Sequence, residues 1–251
     1  MGLECVVRDG VATVTIDNPA KRNAMNVQMW RELPELLESP AKDPAVRVLV
    51  LTGAGDDFCA GADISELADI NRSGDANLSS RAENALARFP KPTIAAIRGF
   101  CVGGGCQLAA ACDVRFAGRG ARFAITPAKI GIVYPPTAIE RLVGLVGPAS
   151  AKYLLYSADL VSAEHALRLG FLDEVVDDLA ARVDAYVQTL LSRSQFSLEA
   201  AKDIINGIVD GSLTEDRVDG WMRGSLEGVD SAEGIAAFLE RRPARFTWVR
   251  P

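Results

Sequence analysis

Histidine is almost missing from this chain, since His165 is the single one among 251 residues. A metal site built from several histidines is therefore excluded. A serine or cysteine nucleophile activated by histidine would have to use this one ring. His165 follows Ser162-Ala163-Glu164, a pattern typical of a capped helix start on the surface. We expect neither a metal site nor a histidine-dependent nucleophile.

Long apolar runs, excess positive charge and paired cysteines are also missing. No apolar stretch approaches the roughly 18–20 residues that a membrane span needs, and the first residues do not resemble a secretory signal. The formal net charge of −6 argues against nucleic acid as the main partner. The five cysteines are an odd number without disulfide or zinc spacing. Together these absences predict a cytoplasmic protein that binds neither membranes nor nucleic acid.

The apolar pattern indicates strands alternating with helices, followed by helices alone. With 49 % apolar and 24 % charged residues, the chain can bury one large core. A helical region is also expected after the strand over 46–51, up to Phe89. The strands expected are a hairpin over 5–16 with Asp9-Gly10 at its turn, then 46–51, 93–97 and 113–117. The other helices expected are 27–37, 108–112, 148–156, 163–169, 179–192, 198–207 and one beginning at Asp230.

This order predicts an α/β core with a C-terminal helical appendage. We place the core in residues 1–195 and the appendage in residues 196–251. From Gly147 onwards the pattern is almost purely helical. The appendage is too short for an independent core. It is therefore expected to pack on the core or on a neighbouring subunit.

Two loops follow predicted strands with a similar run of small residues. Phe58–Ile64 follows one strand, and Gly99–Gly105 follows the next. Small residues at the end of a strand leave backbone N–H groups open to a ligand. Two such donors that converge on one carbonyl oxygen form an oxyanion hole. Plain tight turns are the alternative, and the glycines have the spacing of neither a P-loop nor a dinucleotide fingerprint.

Four segments resemble the enoyl-CoA hydratase/isomerase (crotonase) family: Asn18–Ala24, Phe58–Ile64, Lys91–Gly105 and Ala163–Asp173. The resemblance covers nearly the whole chain, in the family's order and at its intervals. It implies a crotonase-type ββα spiral core and an acyl-CoA thioester as ligand. No separate cofactor is implied, because coenzyme A is part of the substrate. It also implies a homotrimer, or a dimer of trimers, that forms through the C-terminal helical region.

The same resemblance assigns roles to individual residues. The backbone N–H groups of Ala62 and Gly104 would form the oxyanion hole. Residues Ala60 through Ile64 would hold the adenine and pantetheine, and cationic side chains would contact the phosphates. For any one cation, a solvated surface charge explains the sequence equally well. The residues implied to bind coenzyme A are Lys21, Arg22, Ala24, Ala60, Gly61, Asp63, Ile64 and Arg241.

Two departures from the family pattern bear on the reaction. Gln107 and Pro127 stand where the hydratases carry two glutamates. Hydration of an enoyl thioester needs one group to activate water and another to protonate the α-carbon. An amide and a proline ring can do neither, and losing one such group lowers rates by about 10²–10⁴. We therefore expect inefficient hydration unless another acid has taken over.

Decarboxylation would avoid this requirement, because loss of CO₂ generates the enolate without a base. The stretch Phe123–Tyr134 is similar to the methylmalonyl-CoA decarboxylase branch, which shares the pair Thr126-Pro127 and a tyrosine at the position of Tyr134. That similarity implies a phenol that binds or orients the departing carboxylate. A core ring bonded to a backbone carbonyl is the alternative. One departure is Ala62, where that branch can carry histidine.

The sequence thus favours a decarboxylase-like lyase whose site comprises Ala62, Gly104, Thr126 and Tyr134. A hydratase or isomerase with a relocated acid or base stays open, as does a protein that binds acyl-CoA without turnover. Glu140, the nearest downstream carboxylate, is expected to pair with its neighbour Arg141 on a helix.

Overall fold

The structure, a computed structural model, describes residues 1–71 and 77–250. The strands are β1 Gly2–Arg8, β2 Val11–Asp17, β3 Val48–Gly53, β4 Thr93–Ile97, β5 Phe100–Val102, β6 Val114–Gly118, β7 Arg122–Ala124, β8 Val161–Ser162 and β9 Glu174–Val176. The helices are α1 Val27–Lys42, α2 Leu67–Ile70, α3 Leu78–Ala87, α4 Gly104–Ala111, α5 Pro127–Ile130, α6 Pro136–Ser157, α7 Ala163–Arg168, α8 Leu179–Leu191, α9 Gln195–Val209, α10 Glu215–Glu227 and α11 Val229–Glu240. Two short 3₁₀ turns cover Pro19–Lys21 and Ile64–Glu66.

Six strands form the main sheet in the order β1-β2-β3-β4-β6-β9. The β1–β2 hairpin is antiparallel, and every other pairing in this sheet is parallel. Asp9 and Gly10 both have positive φ, 49° and 83°, as the turn of a two-residue hairpin requires. The apolar runs of β3 and β4 are buried almost throughout, as expected for parallel strands covered on both faces.

A second, smaller sheet lies beside the first and leads to the glycine loop. Its order is β5-β7-β8, with β5 parallel to β7 and β7 antiparallel to β8. The N–H of Gly103, directly after β5, donates to the carbonyl of Ala124 at the end of β7 over 2.8 Å. This sheet therefore fixes where the chain leaves for α4.

Helices cover both faces of the main sheet. On one face, α8 packs Val183 and Val187 against Val48, Ile94 and Phe116. On the other face, the larger core includes residues of α1, α3, α4 and α6. The side chain of Asn26 caps α1, and the buried face of that helix includes Trp30 and Leu33. No helix in the described ranges is both long and apolar enough to cross a lipid bilayer.

The predicted α/β core with a helical C-terminal part is confirmed. The hairpin and the strand over 93–97 are confirmed, while the helix expected at 108–112 begins earlier, at Gly104. After Gly147 the described chain is almost purely helical, as predicted, and the exceptions are the short strands β8 and β9, which pair with β7 and β6. Part of the helical region predicted before Phe89 falls on residues 72–76, outside the described residues. The boundary at 195/196 stays a prediction.

Asn23 joins the turn after β2 to the loop after β3. This buried amide donates from Nδ2 to the carbonyls of Ala54 and Asp57, over 2.8 and 2.7 Å. Its Oδ1 accepts the N–H of Asn18 over 2.9 Å. Its φ of 59° is one that asparagine tolerates better than alanine. The loop that it holds continues directly into Phe58.

We expect Asn23→Ala to lower the free energy of unfolding by about 2–4 kcal/mol, because three hydrogen bonds at about 1 kcal/mol each are lost and buried groups stay unpaired. Urea denaturation would measure it. The control Gln28→Ala removes only a surface bond to Glu32 and should change stability by less than about 0.5 kcal/mol. Equal stability of the two variants would contradict the role assigned to Asn23.

Candidate active site

The two loops that carry small residues lie side by side. The N–H of Cys59 donates to the carbonyl of Phe100 and the N–H of Val102 donates to the carbonyl of Cys59, each over 2.9 Å. These bonds pair the loop after β3 with β5, as a short parallel bridge between Cys59 and Cys101. The parallel order of β3 and β4 brings the two loops to the same edge of the sheet.

Ala62 and Gly104 face each other across a gap that is too narrow for a side chain. A Cβ on Gly61 would lie 3.2 Å from the nitrogen of Gly104. A Cβ on Gly104 would lie 3.3 Å from the nitrogen of Ala62 and 2.8 Å from Cζ2 of Trp30. Within the described residues, neither the Ala62 nor the Gly104 N–H has a backbone acceptor. For Gly104 this follows from its place at the start of α4. Two unpaired N–H groups this close together are what an oxyanion hole needs, and that role stays a prediction.

Gly103 orients this pair of donors. Its φ of 51° and ψ of −113° suit glycine and few other residues. Its carbonyl accepts the N–H of Gln107 over 3.1 Å and the hydroxyl of Tyr134 over 2.9 Å. Thr126 is also adjacent, because its Oγ1 would lie 3.5 Å from a Cβ at Gly103.

Tyr134 is buried, and burial raises the pKa of its phenol well above the usual range. The phenol therefore stays protonated, and its one proton is committed to the carbonyl of Gly103. Tyr134 is thus a core ring bonded to a backbone carbonyl, and its phenol proton is not available to bind a carboxylate. The hydroxyl braces the loop from which the Gly104 N–H projects.

The proposed coenzyme A cradle is a short pairing of two chain segments. The N–H of Ala60 donates to the carbonyl of Arg22, and the N–H of Met25 donates to the carbonyl of Gly61. The N–H of Asp63 donates back to Met25 over 2.8 Å. Ala24 is buried within this pairing, so the structure brings together every predicted binding residue between 21 and 64.

The predicted cations lie in different surroundings. Lys21 forms an ion pair with Asp63 over 2.5 Å, and this contact lowers the pKa of Asp63 to about 2 and raises that of Lys21. The guanidinium of Arg22 lies 4.4 Å from the ring centre of Phe100. Arg241 lies on another element, exposed at the C-terminal cap of α11. The structure thus places Lys21 and Arg22 beside the cradle. In the described ranges, Arg241 makes no contact with it.

Gln107 and Pro127, the two positions predicted to replace glutamates, carry no group that can transfer a proton. Gln107 is buried on α4, with its Nε2 3.4 Å from the hydroxyl of Ser79. Pro127 is buried at the first position of the short helix α5, where a proline fits well. No cluster of histidine, cysteine, aspartate or glutamate in the described part of the chain could hold a metal ion.

A buried carboxyl that the sequence did not predict lies near Gln107. Glu83 on α3 is fully buried and forms an ion pair with Arg141 over 2.9 Å. Its Oε1 also accepts a hydrogen bond from Thr137, and the amide of Gln107 is near enough to lower its pKa. Burial is the main cause that raises the pKa of Glu83, and these three partners oppose the rise. Arg141 therefore pairs with Glu83, and the predicted pair with Glu140, which is exposed, was wrong.

A weak sequence signal for this cluster does exist. Ser79 and Glu83 are four residues apart on α3, on the face that also buries Leu86. Thr137 and Arg141 have the same spacing on α6. A carboxylate on a buried helix face needs a partner, but which helix supplies it depends on the tertiary contact.

Comparison with known proteins identifies the family of this chain. The sequence profile of the family described as "Enoyl-CoA hydratase/isomerase" matches residues 7–248. The chain is 34 % identical over 249 residues to a crotonyl-CoA hydratase from Syntrophomonas wolfei, covering 94 % of each protein. It is 32 % identical over 253 residues to a 1,2-epoxyphenylacetyl-CoA isomerase from Escherichia coli, covering 96 % of each.

Solved structures show the same fold over nearly the whole chain. The crystal structure of an enoyl-CoA hydratase/isomerase family member has a TM-score of 0.95 and 41 % identity, and the match covers 99 % of this chain and 97 % of that one. A related crystal structure from Hyphomonas neptunium has a TM-score of 0.92 and 34 % identity, over 99 % and 98 % of the two chains. The chain belongs to the enoyl-CoA hydratase/isomerase family of acyl-CoA-processing enzymes.

Proposed function

We propose that this enzyme works through a thioester enolate and acts as a lyase that decarboxylates a malonyl-type acyl-CoA. One observation carries the proposal: two free N–H donors face each other at Ala62 and Gly104, while Gln107 and Pro127 stand at the family's two proton-transfer positions. The site therefore retains the group that stabilises negative charge on the thioester oxygen. It lacks both carboxylates that hydration would use at these places.

The chemistry needs little beyond that pair of donors. The bond between the α-carbon and the carboxylate breaks, CO₂ leaves, and the electron pair delocalises onto the thioester oxygen. Donors placed before the reaction stabilise this developing charge, and each contributes about 3–4 kcal/mol to the barrier reduction. Tyr134 supports the reaction by holding the carbonyl of Gly103 and thereby the N–H of Gly104. The enolate then takes up a proton at the α-carbon.

A hydratase or isomerase is the second candidate, and Glu83 is the observation that favours it. A buried carboxyl beside Gln107 could replace the missing acid or base. Relatives with this fold are named as hydratases and as an isomerase. These names support the candidate without deciding between the two reactions.

We further propose that coenzyme A lies along the pairing of residues 22–25 with residues 60–63. Lys21 and Arg22 are exposed at its edge, where they can meet the phosphates. Ile64 is 65 % exposed beside the cradle and offers an apolar contact to the pantetheine. Arg241 can contribute only if the bound ligand, or a neighbouring subunit, reaches the end of α11.

Self-association as a trimer, or as a dimer of trimers, is proposed from the C-terminal helices. Apolar side chains on α9, α10 and α11 stay exposed in the single chain, and contiguous apolar surface of this kind is typical of subunit interfaces. Phe238 is the most exposed of them, at 83 %. The others are Ile205, Ile208, Val209, Met222, Leu226, Val229, Ile235 and Leu239.

A substrate panel tests the reaction. The purified protein is offered methylmalonyl-CoA, crotonyl-CoA and a 3-enoyl-CoA, while CO₂ release, hydration and double-bond migration are followed. We expect CO₂ release from methylmalonyl-CoA to be the fastest reaction. Turnover of crotonyl-CoA at ordinary enzyme rates would contradict the lyase proposal and favour the second candidate. Tight binding of all three without turnover would contradict both.

Gly104→Ala tests the oxyanion hole. The added methyl would meet the ring of Trp30 and the nitrogen of Ala62, so the two donors must move apart. We expect kcat to fall by about 10²–10³-fold, as when one donor is lost. Gly144→Ala is the matched control, because a Cβ there has no atom within 4 Å among the described residues. Thermal melting should show that both variants fold, and unchanged kcat in Gly104→Ala would rule the site out.

Phe238→Asp tests the oligomeric state. A charge in the apolar surface would have to be desolvated on association, so the variant should shift from a trimer or hexamer to a monomer in light scattering. Val6→Asp, at a half-exposed position on β1, is the control and should keep the wild-type mass. A wild-type protein that is monomeric at all concentrations would contradict the proposal.

A further inference from the structure

We propose that Glu83 is the proton-transferring carboxyl of this site, which exchanges a proton with the α-carbon of the acyl-CoA. The inference rests on the proposed thioester-enolate chemistry. It supplies the step that Gln107 and Pro127 cannot perform. Gln107 becomes a positioning residue, which holds Glu83 instead of transferring the proton itself.

The position of Glu83 in the fold links it to the oxyanion hole. Gln107 follows Gly104 by three residues, within the first turn of α4. Its Nε2 lies 3.4 Å from the hydroxyl of Ser79, one helical turn before Glu83 on α3, and its amide lowers the pKa of Glu83. Its backbone N–H donates to the carbonyl of Gly103. The amide that replaces the family's glutamate thus connects a second carboxyl to the donor loop.

One carboxylate oxygen of Glu83 has polar partners, and the other has none among the described residues. Oε1 meets the hydroxyl of Thr137 and Nη1 of Arg141. Oε2 is fully buried and has no hydrogen-bond partner among the described residues. Buried carboxylate oxygens are seldom left unpaired, because the lost hydration costs about 1–3 kcal/mol or more. A role for Oε2 as the atom that carries or accepts the proton explains why it is unpaired.

The surroundings of Glu83 also favour its protonated form. Burial raises the pKa of Glu83. Thr137 on α6 opposes this rise most, followed by the charge of Arg141 on α6 and by the amide of Gln107 on α4. Tyr134, in the loop before α6, is neutral. A carboxyl whose pKa is raised holds its proton more firmly than an ordinary carboxyl, which favours a role as general acid.

Glu83 acts as an acid in one direction of the proposed step and as a base in the other. After CO₂ has left, the electron pair of the enolate forms a C–H bond with the proton of Glu83, whose carboxylate then regains a proton from water. With a saturated acyl-CoA, the carboxylate of Glu83 removes an α-proton instead. The resulting negative charge lies on the thioester oxygen between the Ala62 and Gly104 N–H groups.

Among the described residues, two other carboxylates are buried, and both have polar partners elsewhere in the fold. Glu199 on α9 pairs with Arg250 over 2.7 Å. Asp230 on α11 accepts from the hydroxyl of Ser194 and from the backbone near Thr247. Both belong to the C-terminal helices, whereas Glu83 contacts α4 and α6 around the donor loop.

Exchange of α-protons with solvent deuterium tests the inference without any CO₂ release. Butyryl-CoA is incubated with the enzyme in D₂O, and deuterium uptake is followed by mass spectrometry. We expect uptake with the wild type and a loss of at least about 10²-fold in Glu83→Gln with unchanged KM. Glu140→Gln, an exposed carboxylate on α6, is the matched control and should exchange like the wild type. Equal exchange in Glu83→Gln and the wild type, or none in the wild type, would overturn the inference.

Arg141→Gln adds a readout that a purely structural ion pair would not move. Arg141 favours the carboxylate form of Glu83, so its removal raises the pKa of Glu83 further. The base form then appears at higher pH, and the inflection of the exchange rate against pH should shift upwards. An unshifted inflection would contradict the assignment. If thermal melting shows that Glu83→Gln is not folded, the double variant Glu83→Gln/Arg141→Gln is used in its place, because it removes both buried charges together.

Stereochemistry separates this inference from the proposed decarboxylation. Methylmalonyl-CoA is turned over in D₂O, and the configuration of the deuterated propionyl-CoA is determined. We expect one enantiomer from the wild type and a mixture from Glu83→Gln, with CO₂ release within a few-fold of the wild type. Exchange of butyryl-CoA without CO₂ release would refute the lyase and support Glu83. CO₂ release with the same single enantiomer from both proteins would support the lyase and refute Glu83.

Discussion

The close approach of the two loops after β3 and β4 is the constraint on which the site depends. Backbone bonds between Cys59 and its neighbours Phe100 and Val102 hold the loops in contact. At that distance no side chain fits at Gly61 or Gly104, and the nitrogens of Ala62 and Gly104 lie close to each other. The parallel sheet makes this possible, because parallel strands deliver both loops to one edge.

The surrounding elements brace that pair of donors. β7 receives the N–H of Gly103, and Tyr134 and α4 hold its carbonyl. Asn23 ties the turn after β2 to the loop that leads to Phe58. Each of these contacts satisfies a buried polar group, and each also limits how far the donors can move. Stability and preorganisation of the site therefore rest on the same hydrogen bonds.

The sequence predicted those parts of the fold whose signal is local. The hairpin follows from Asp9-Gly10 between apolar runs, and the strand over 93–97 follows from an uninterrupted apolar run. β8 and β9 carry no such signal. They are two and three residues long, and they exist because β7 and β6 offer an open edge to distant segments. The motif residues of the donor loops were predicted because glycines at strand ends are also a local pattern.

By itself the sequence determined the α/β fold and the two small-residue loops, and it predicted that Gln107 and Pro127 replace two family glutamates. Those features depend on residue type and on order along the chain. Only the tertiary structure decided that the proton of Tyr134 belongs to Gly103 and that Arg141 pairs with Glu83 rather than with Glu140. A side chain on a helix has several possible partners within its reach. Packing of α3 against α4 and α6 selects one of them, because a buried charge must be paired where it lies.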